Sequence, residues 1–380
     1  MHYSFLRFSC IFLILSSSPL SLASGSEGRD GTDHPCLLAH PLNTDSAATQ
    51  HAALCSTFFG GSGIDGGFCL ALDGQGSLYV AGYTGSPDLP TTAGAYQGTF
   101  GGGDFDYYIA KFDESLTTLK ACTYLGGGNT EGPWGFNLAL DADGNVFVAG
   151  STSSIDFPVT PGAFDTLYNG GATDAFVAKL DSDLRSLLAA TYLGGAGQDG
   201  GDSVCFAVAP EGHVFVSGLT RSNNFPTTPG AFDTTYNGPS GDGFIARLDN
   251  NLANLQASTF LGGSGVEFLT AIALDANGNL FASGSTSSSN FPTTSGAYDE
   301  VKGFNSDGFV SKLDSGLTTL LASTFFGNDG GENCFLMVID PKGCVFVAGQ
   351  IDENSLPVTP GAYDATHNGD WDNYAAKFSN

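Results

Sequence analysis

The chain has 380 residues, with 39 Asp+Glu against 12 Lys+Arg, a formal net charge of −27 and a sequence pI of about 4.1. So negative a surface repels polyanions, which argues against nucleic acid or an anionic membrane as partner. Hydrophobic residues make up 41%, including 30 Phe, so the charge rides on a chain able to build a core and not on a disordered polyacid.

The first 23 residues read as an export signal. "MHYSFLR" carries one Arg and no acid, "CIFLIL" is a short apolar stretch, and "SLA" at Ser21–Ala23 supplies the small residues of a cleavage site. That stretch is too short to span a bilayer, and no later segment is long and apolar enough. The expected product is secreted or periplasmic, without membrane insertion. Residues 24–51 are polar with Pro and Gly and read as a flexible lead-in. Once Cys10 leaves with the signal, seven cysteines remain: Cys36, Cys55, Cys69, Cys122, Cys205, Cys334 and Cys344. The odd number leaves at least one without an intrachain partner, and the lack of CxxC argues against zinc. Most sit in apolar runs, where a small buried thiol is the plain reading.

From residue 52 to 380 one unit recurs. "STFFGGSG", "CTYLGGG", "ATYLGGAG", "STFLGGSG" and "STFFGND" place Thr at 57, 123, 191, 259 and 324, in steps of 66, 68, 68 and 65. A second marker agrees: "DYYIAKF", "DAFVAKL", "DGFIARL", "DGFVSKL" and "DNYAAKF" begin at Asp106, Asp174, Asp242, Asp307 and Asp372. Such periodicity signals a repeat architecture. Each unit reads as four strands, as in "LTAIALD", "LFASG", "GFVSKLD" and "LLASTFFG". The first two are almost wholly apolar, which predicts burial on both faces, as in the stacked antiparallel blades of a β-propeller.

Four units run from Phe68 to Phe326, and a fifth supplies three strands from Cys334 to Phe378. The fourth-strand motif recurs at Ala53–Phe59. The predicted fold is therefore all-β: a propeller of five four-stranded antiparallel blades, closed by an N-terminal strand that completes the last blade, with an open arc of the same strands as the alternative. "STFLGGSG", "ALDANGNLFASGST", "FPTTPGAF" and "DAFVAKLD" resemble the SBBP-type β-propeller repeat over roughly Leu54 to the C-terminus. That resemblance implies a propeller in a bacterial extracytoplasmic setting and implies no activity.

An acid stands five residues after the first Gly of each Gly-Gly or Gly-Asn pair: Asp65, Glu131, Asp199, Glu267 and Glu332. Entering the innermost strand from the upper rim, the one that carries the fourth-to-first and the long second-to-third loops, these acids are candidates to ring a channel mouth. Five like charges there need a cation, a base or partial protonation, and calcium, which takes six to eight oxygens, is the candidate metal. The alternative is that each acid accepts N–H bonds and pins its own Gly-rich loop. The acid opening each third strand is expected to meet a loop backbone donor or a base. Lys111, Lys179, Arg247, Lys312 and Lys377 follow at fixed spacing and are expected in structural ion pairs.

"GGSGID", "GGAGQD" and "DADGN" resemble calcium motifs, but the first two lack a nine-residue period and the third lacks the later ligands; a hairpin turn accounts for "DADGN". No His pair has metal spacing, no G-x-S-x-G occurs, and no Ser-His-Asp set assembles. The upper loops offer Trp134, Trp371, Tyr168, Tyr236, Asn169, Asn237 and Asn368, groups suited to a carbohydrate, although the aromatics can equally pack under their own loops. The reading is a monomeric, non-catalytic binding or scaffold module for a glycan or extracellular protein, needing no cofactor. The alternatives are a propeller hydrolase or lyase using upper-face carboxylates on polysaccharide, and a purely structural surface repeat.

Overall fold

The computed structural model describes residues 55–132, 135–327, 330–352, 356 and 358–379. Among them the strands form five antiparallel sheets, each in chain order. The first holds β1 (Asp65–Leu72), β2 (Leu78–Thr84), β3 (Asp106–Phe112) and β4 (Leu119–Leu125). The second holds β5 (Asn137–Leu140), β6 (Val146–Thr152), β7 (Asp174–Leu180) and β8 (Leu187–Leu193). The third holds β9 (Asp199–Val208), β10 (Val214–Thr220), β11 (Asp242–Leu248) and β12 (Leu255–Leu261). The fourth holds β13 (Glu267–Leu274), β14 (Leu280–Thr286), β15 (Asp307–Leu313) and β16 (Leu320–Phe326). The fifth holds β17 (Glu332–Ile339), β18 (Val345–Ile351) and β19 (Asp372–Phe378). The predicted repeat thus maps onto one sheet per unit.

The apolar runs are explained by stacking. In the middle sheets β6, β7, β10 and β14 are buried along their whole length, because each lies between two neighbouring sheets. The contacts repeat with the sequence. Leu125 shares a core with Phe176 of the next sheet, Leu193 with Phe244, and Leu261 with Phe309. In the end sheets burial alternates, and Leu70, Leu72, Leu336, Val338 and Phe346 are exposed.

The turn between first and second strands is set by an Asp and a Gly. In the second sheet Asp141 Oδ1 accepts N–H bonds from Asp143 (3.0 Å) and Asn145 (2.8 Å), while Gly144 takes φ 80°. This is the predicted hairpin. The same Asp receives the third-strand base: Lys179–Asp141 at 3.0 Å, Lys111–Asp73 at 3.3 Å and Lys312–Asp275 at 3.1 Å. Each ammonium also lies 4.7–4.8 Å from an aromatic ring of the second strand. In the third sheet Ala209 replaces the Asp, and Arg247 instead donates to Ser315 O of the next sheet.

The hairpin between the third and fourth strands is less ordinary. Leu116, Leu184, Leu252 and Leu317 adopt φ of 54–56°, a conformation that costs a non-Gly residue about 1–2 kcal/mol. Burial offsets the strain. Leu184, Leu252 and Leu317 are inaccessible, and their carbonyls accept N–H bonds from Tyr96, Phe164 and Phe232 of the preceding sheet at 2.8–2.9 Å.

The long connection between second and third strands does not stay at the upper rim. It runs down the outer edge beside the fourth strand: Thr160 N–H donates to Ala190 O, and Tyr192 N–H to Asp165 O. The edge is thereby covered, as an unpaired strand edge requires.

Closure differs from expectation. Cys55–Phe59 is not in a strand, and among the described residues the fifth sheet has three strands, with no ladder from this segment to β19. Phe59 instead lies on the first sheet, 5.5 Å from the Tyr108 ring and 5.3 Å from that of Phe112. This is the contact that Leu125 makes with the following sheet, so burial of Phe59 draws the segment onto that face, while Phe58 stays fully exposed.

Candidate functional site

The repeated acids do not open onto a channel. Glu131, Asp199, Glu267 and Glu332 are inaccessible to solvent, and Asp65 is partly buried. Each acid of the first four sheets is held inside its own blade. Asp199 accepts from Gly195 N–H (2.7 Å), Thr220 Oγ1 (2.5 Å) and Ser222 Oγ (2.7 Å). Asp65 accepts from Gly61 N–H, Thr84 and Ser86. Glu131 accepts from Gly127 N–H and Thr152, and Glu267 from Gly263 N–H, Thr286 and Ser288. The acid therefore ties its Gly-rich loop to the end of the second strand. The Thr-x-Ser pairs that supply the hydroxyls recur in the sequence at 84/86, 152/154, 220/222 and 286/288, a signal that a reading focused on the acids missed. The fifth sheet lacks it, with Ile351 opposite Glu332.

The third-strand acids meet loop backbone and not the bases. Asp106 accepts from Gly101 N–H (2.6 Å), Asp174 from Asn169 N–H (2.6 Å), and Asp242 from Asn237 and Gly238 N–H (2.5 and 3.0 Å). Asp307 accepts from Gly303 N–H and Asp372 from Asn368 N–H.

The two sets of acids come together across sheet junctions. Glu131 N–H donates to Phe105 O, Asp199 N–H to Thr173 O, Glu267 N–H to Gly241 O and Glu332 N–H to Ser306 O, so each first-strand acid abuts the third-strand acid of the preceding sheet. The partners, 106/131, 174/199, 242/267 and 307/332, are 25 residues apart every time. Their oxygens converge over the first glycine of the Gly-Gly pair. A methyl on Gly194 would lie 2.7 Å from Asp174 Oδ1 and 2.9 Å from Asp199 Oδ2, which is why no side chain stands there. A methyl on Gly126 would lie 2.5 Å from Asp106 Oδ1 and 3.0 Å from Glu131 Oε2, and one on Gly262 2.5 Å from Glu267 Oε2 and 3.1 Å from Asp242 Oδ1. Burial raises the pKa of these carboxyls against the hydrogen bonds that lower it, to about 8 for Glu131 and about 7 for Asp174. Asp106, Asp199, Asp242 and Glu267 are pushed the same way by the same cause.

Calcium would need more oxygens than these residues leave open. Each junction brings together two carboxylates whose remaining oxygens already accept hydrogen bonds, and calcium takes six to eight oxygens. Among the described residues no three His, Cys, Asp or Glu side chains are grouped to hold a metal ion. As placed, the set does not fit that ion.

The predicted ligand-binding residues mostly brace their own loops. Asn169 Nδ2 donates to Asp165 Oδ2 (2.6 Å) and Leu167 O (3.1 Å), and Asn237 Nδ2 to Asp233 Oδ2 (2.7 Å) and Thr235 O (2.9 Å). Asn368 Nδ2 does the same with Asp364 Oδ2 and Thr366 O. The Tyr168 ring sits 6.0 Å from Tyr192, and that of Tyr236 sits 6.0 Å from Phe260. Trp371 is half exposed, and Trp134 lies outside the described residues. The connections between second and third strands expose apolar side chains not foreseen from sequence: Ile155 (74%) and Leu167 (69%) in the second sheet, and Val301 (77%) and Phe304 (90%) in the fourth. Of the described cysteines, Cys69, Cys122, Cys205 and Cys334 are buried.

The family model described as SBBP, a beta-propeller repeat, matches residues 123–158, which span β4 to the start of the long connection in the second sheet. The chain thus carries an SBBP β-propeller repeat, and the sheet stack is the fold that repeat describes. No curated protein matches the sequence. Among solved structures it is similar to a protein of unknown function from Dyadobacter fermentans (11% identity, 75% of this chain and 74% of that one, TM-score 0.40). It is similar to a polysaccharide lyase, an ulvan lyase bound to -[GlcA(1-4)Rha3S]- (10% identity, 78% and 68%, TM-score 0.45). It is also similar to a gluconolactonase from Xanthomonas campestris (13% identity, 74% and 69%, TM-score 0.35). Likeness at this level carries no activity or substrate over to this chain.

Proposed function

We propose that this chain, bearing an SBBP β-propeller repeat, is a secreted or periplasmic binding scaffold that engages an extracellular protein or glycan through its upper loops, without catalysing a reaction. One observation carries this reading. The polar groups of those loops are consumed in holding them rigid, while Ile155, Leu167, Val301, Phe304 and Trp371 remain turned to solvent beside acids. Rigid loops presenting apolar side chains lose little conformational freedom on binding, which favours recognition. Buried acids with fixed internal hydrogen bonds favour a structural over a catalytic role.

The test is a Leu167→Asp/Phe304→Asp double variant. Both side chains are exposed, so its melting temperature should stay within about 2 °C of wild type. Partner capture by photo-crosslinking on bacterial surface preparations, together with a glycan array, is expected to show a specific ligand for wild type and at least a tenfold loss for the variant. Undiminished capture by the variant would remove the upper loops from the reading.

A further inference from the structure

At the junctions between the first four sheets, pairs of carboxyl groups meet in sites closed to water. Asp106 Oδ1 and Glu131 Oε2 both face the first junction, inaccessible and, among the described residues, accepting no hydrogen bond from any N–H or O–H. Their other oxygens are provided for: Gly101 N–H reaches Asp106 Oδ2, while Gly127 N–H and Thr152 reach Glu131 Oε1. At the second junction Asp174 Oδ1 is the inaccessible oxygen without a donor, aimed with Asp199 Oδ2 over Gly194. At the third, Asp242 and Glu267 meet over Gly262.

The surroundings do not offset a second negative charge. Around the first pair the titratable groups are Tyr107, Tyr124, Tyr192 and Asp156. Around the second they are Asp165, Tyr168, Tyr192 and Tyr236, and around the third Asp233 and Tyr236. Among the described residues the cation near the second and third pairs is Arg221, whose guanidinium donates to Gln198 Oε1 and Ser240 O among its partners. Two anionic carboxylates in contact, away from water and without a counter-charge, do not both stay ionised.

We propose that each of these three junctions keeps one proton, shared between the third-strand carboxyl of one sheet and the first-strand carboxyl of the next, so that a carboxyl–carboxylate hydrogen bond joins neighbouring sheets. Two facing oxygens suffice for a proton. The shared protons lie inside the sheet junctions and are independent of what the upper loops bind.

The linkage has a definite sign. The folded pair holds a proton that the unfolded chain, with carboxyls near pH 4, has released. The stabilisation is complete below about pH 4 and is lost as pH rises through about 7 to 8, where Asp174 and Glu131 titrate. The wild-type melting temperature should therefore fall by about 5 °C or more between pH 5 and 9. In a Glu131→Gln/Asp199→Asn/Glu267→Gln variant each amide supplies a permanent donor, and the fall should shrink to about 2 °C or less. Infrared spectra of wild type at pH 7 should contain a protonated-carboxyl C=O band that shifts in D₂O and weakens in the variant. If the triple variant does not fold, the single variants and the wild-type band decide the matter. A wild-type melting temperature that is flat or rising across the window, or the absence of that band, would overturn the proposal. So would calcium bound in stoichiometric amount after dialysis with EDTA lowering the melting temperature, since the ion would then hold the place of the proton.

Discussion

Gly284→Ala is expected to cost at least about 3 kcal/mol and to leave much of the protein unfolded on expression. Gly284 lies in β14 opposite Leu269, where the register between β13 and β14 slips across a bulge. A Cβ there would sit 1.8 Å from Phe268 O, an atom of the backbone and therefore unable to swing aside. The same approach recurs at Gly82, 1.9 Å from Gly66 O, and at Gly349, 1.7 Å from Asn333 O. The bulge lets the first strand bend while the second stays straight and buried, so it shapes every blade that carries it. Denaturant unfolding of the variant checks the figure. A loss below about 1 kcal/mol would mean that the bulge relaxes and does not set the blade.

Asp199→Ala is expected to cost about 3–5 kcal/mol, whereas Asp199→Asn should cost about 1–2 kcal/mol near pH 7. Alanine strands three buried donors, Gly195 N–H, Thr220 Oγ1 and Ser222 Oγ, and leaves the Asp174 carboxyl buried opposite a void. Asparagine keeps Oδ1 as the acceptor for Thr220 and turns an N–H toward Asp174 in place of Oδ2; the Ser222 hydroxyl can rotate to accept, so Gly195 N–H is the one donor left without its acceptor. Equal losses for the two substitutions would show that side-chain volume, not hydrogen bonding, is what the position requires.

The architecture was legible from sequence because three signals agreed. The Thr and Asp markers kept a common step, the first and second strands were apolar without alternation, and each hairpin carried a Gly, which proved to take positive φ at Gly144 and Gly278. The alternative reading of the acids, that each pins its Gly-rich loop, was available from the Gly-Gly context alone. What escaped was tertiary. Nothing local to Asp106 shows that it meets Glu131, since stacking of adjacent sheets creates that contact. Only the constant interval of 25 residues, seen across the units, carries the information. Leu184 and Leu252 at φ near 55° ran against propensity, and they keep that conformation because burial and an accepted hydrogen bond outweigh the local strain. Pairing of the N-terminal motif with the last sheet was inferred from motif identity, but Phe59 finds its apolar surface on Tyr108 and Phe112 instead.

The most direct measurement is a double-mutant cycle on Asp174 and Asp199, with Asp174→Ala, Asp199→Ala and the pair unfolded in urea at pH 7. If the two carboxyls bridge neighbouring sheets, the double variant will lose about 1–3 kcal/mol less than the sum of the single losses. Additivity within about 0.5 kcal/mol would contradict the account, because the two acids would then serve only their separate loops.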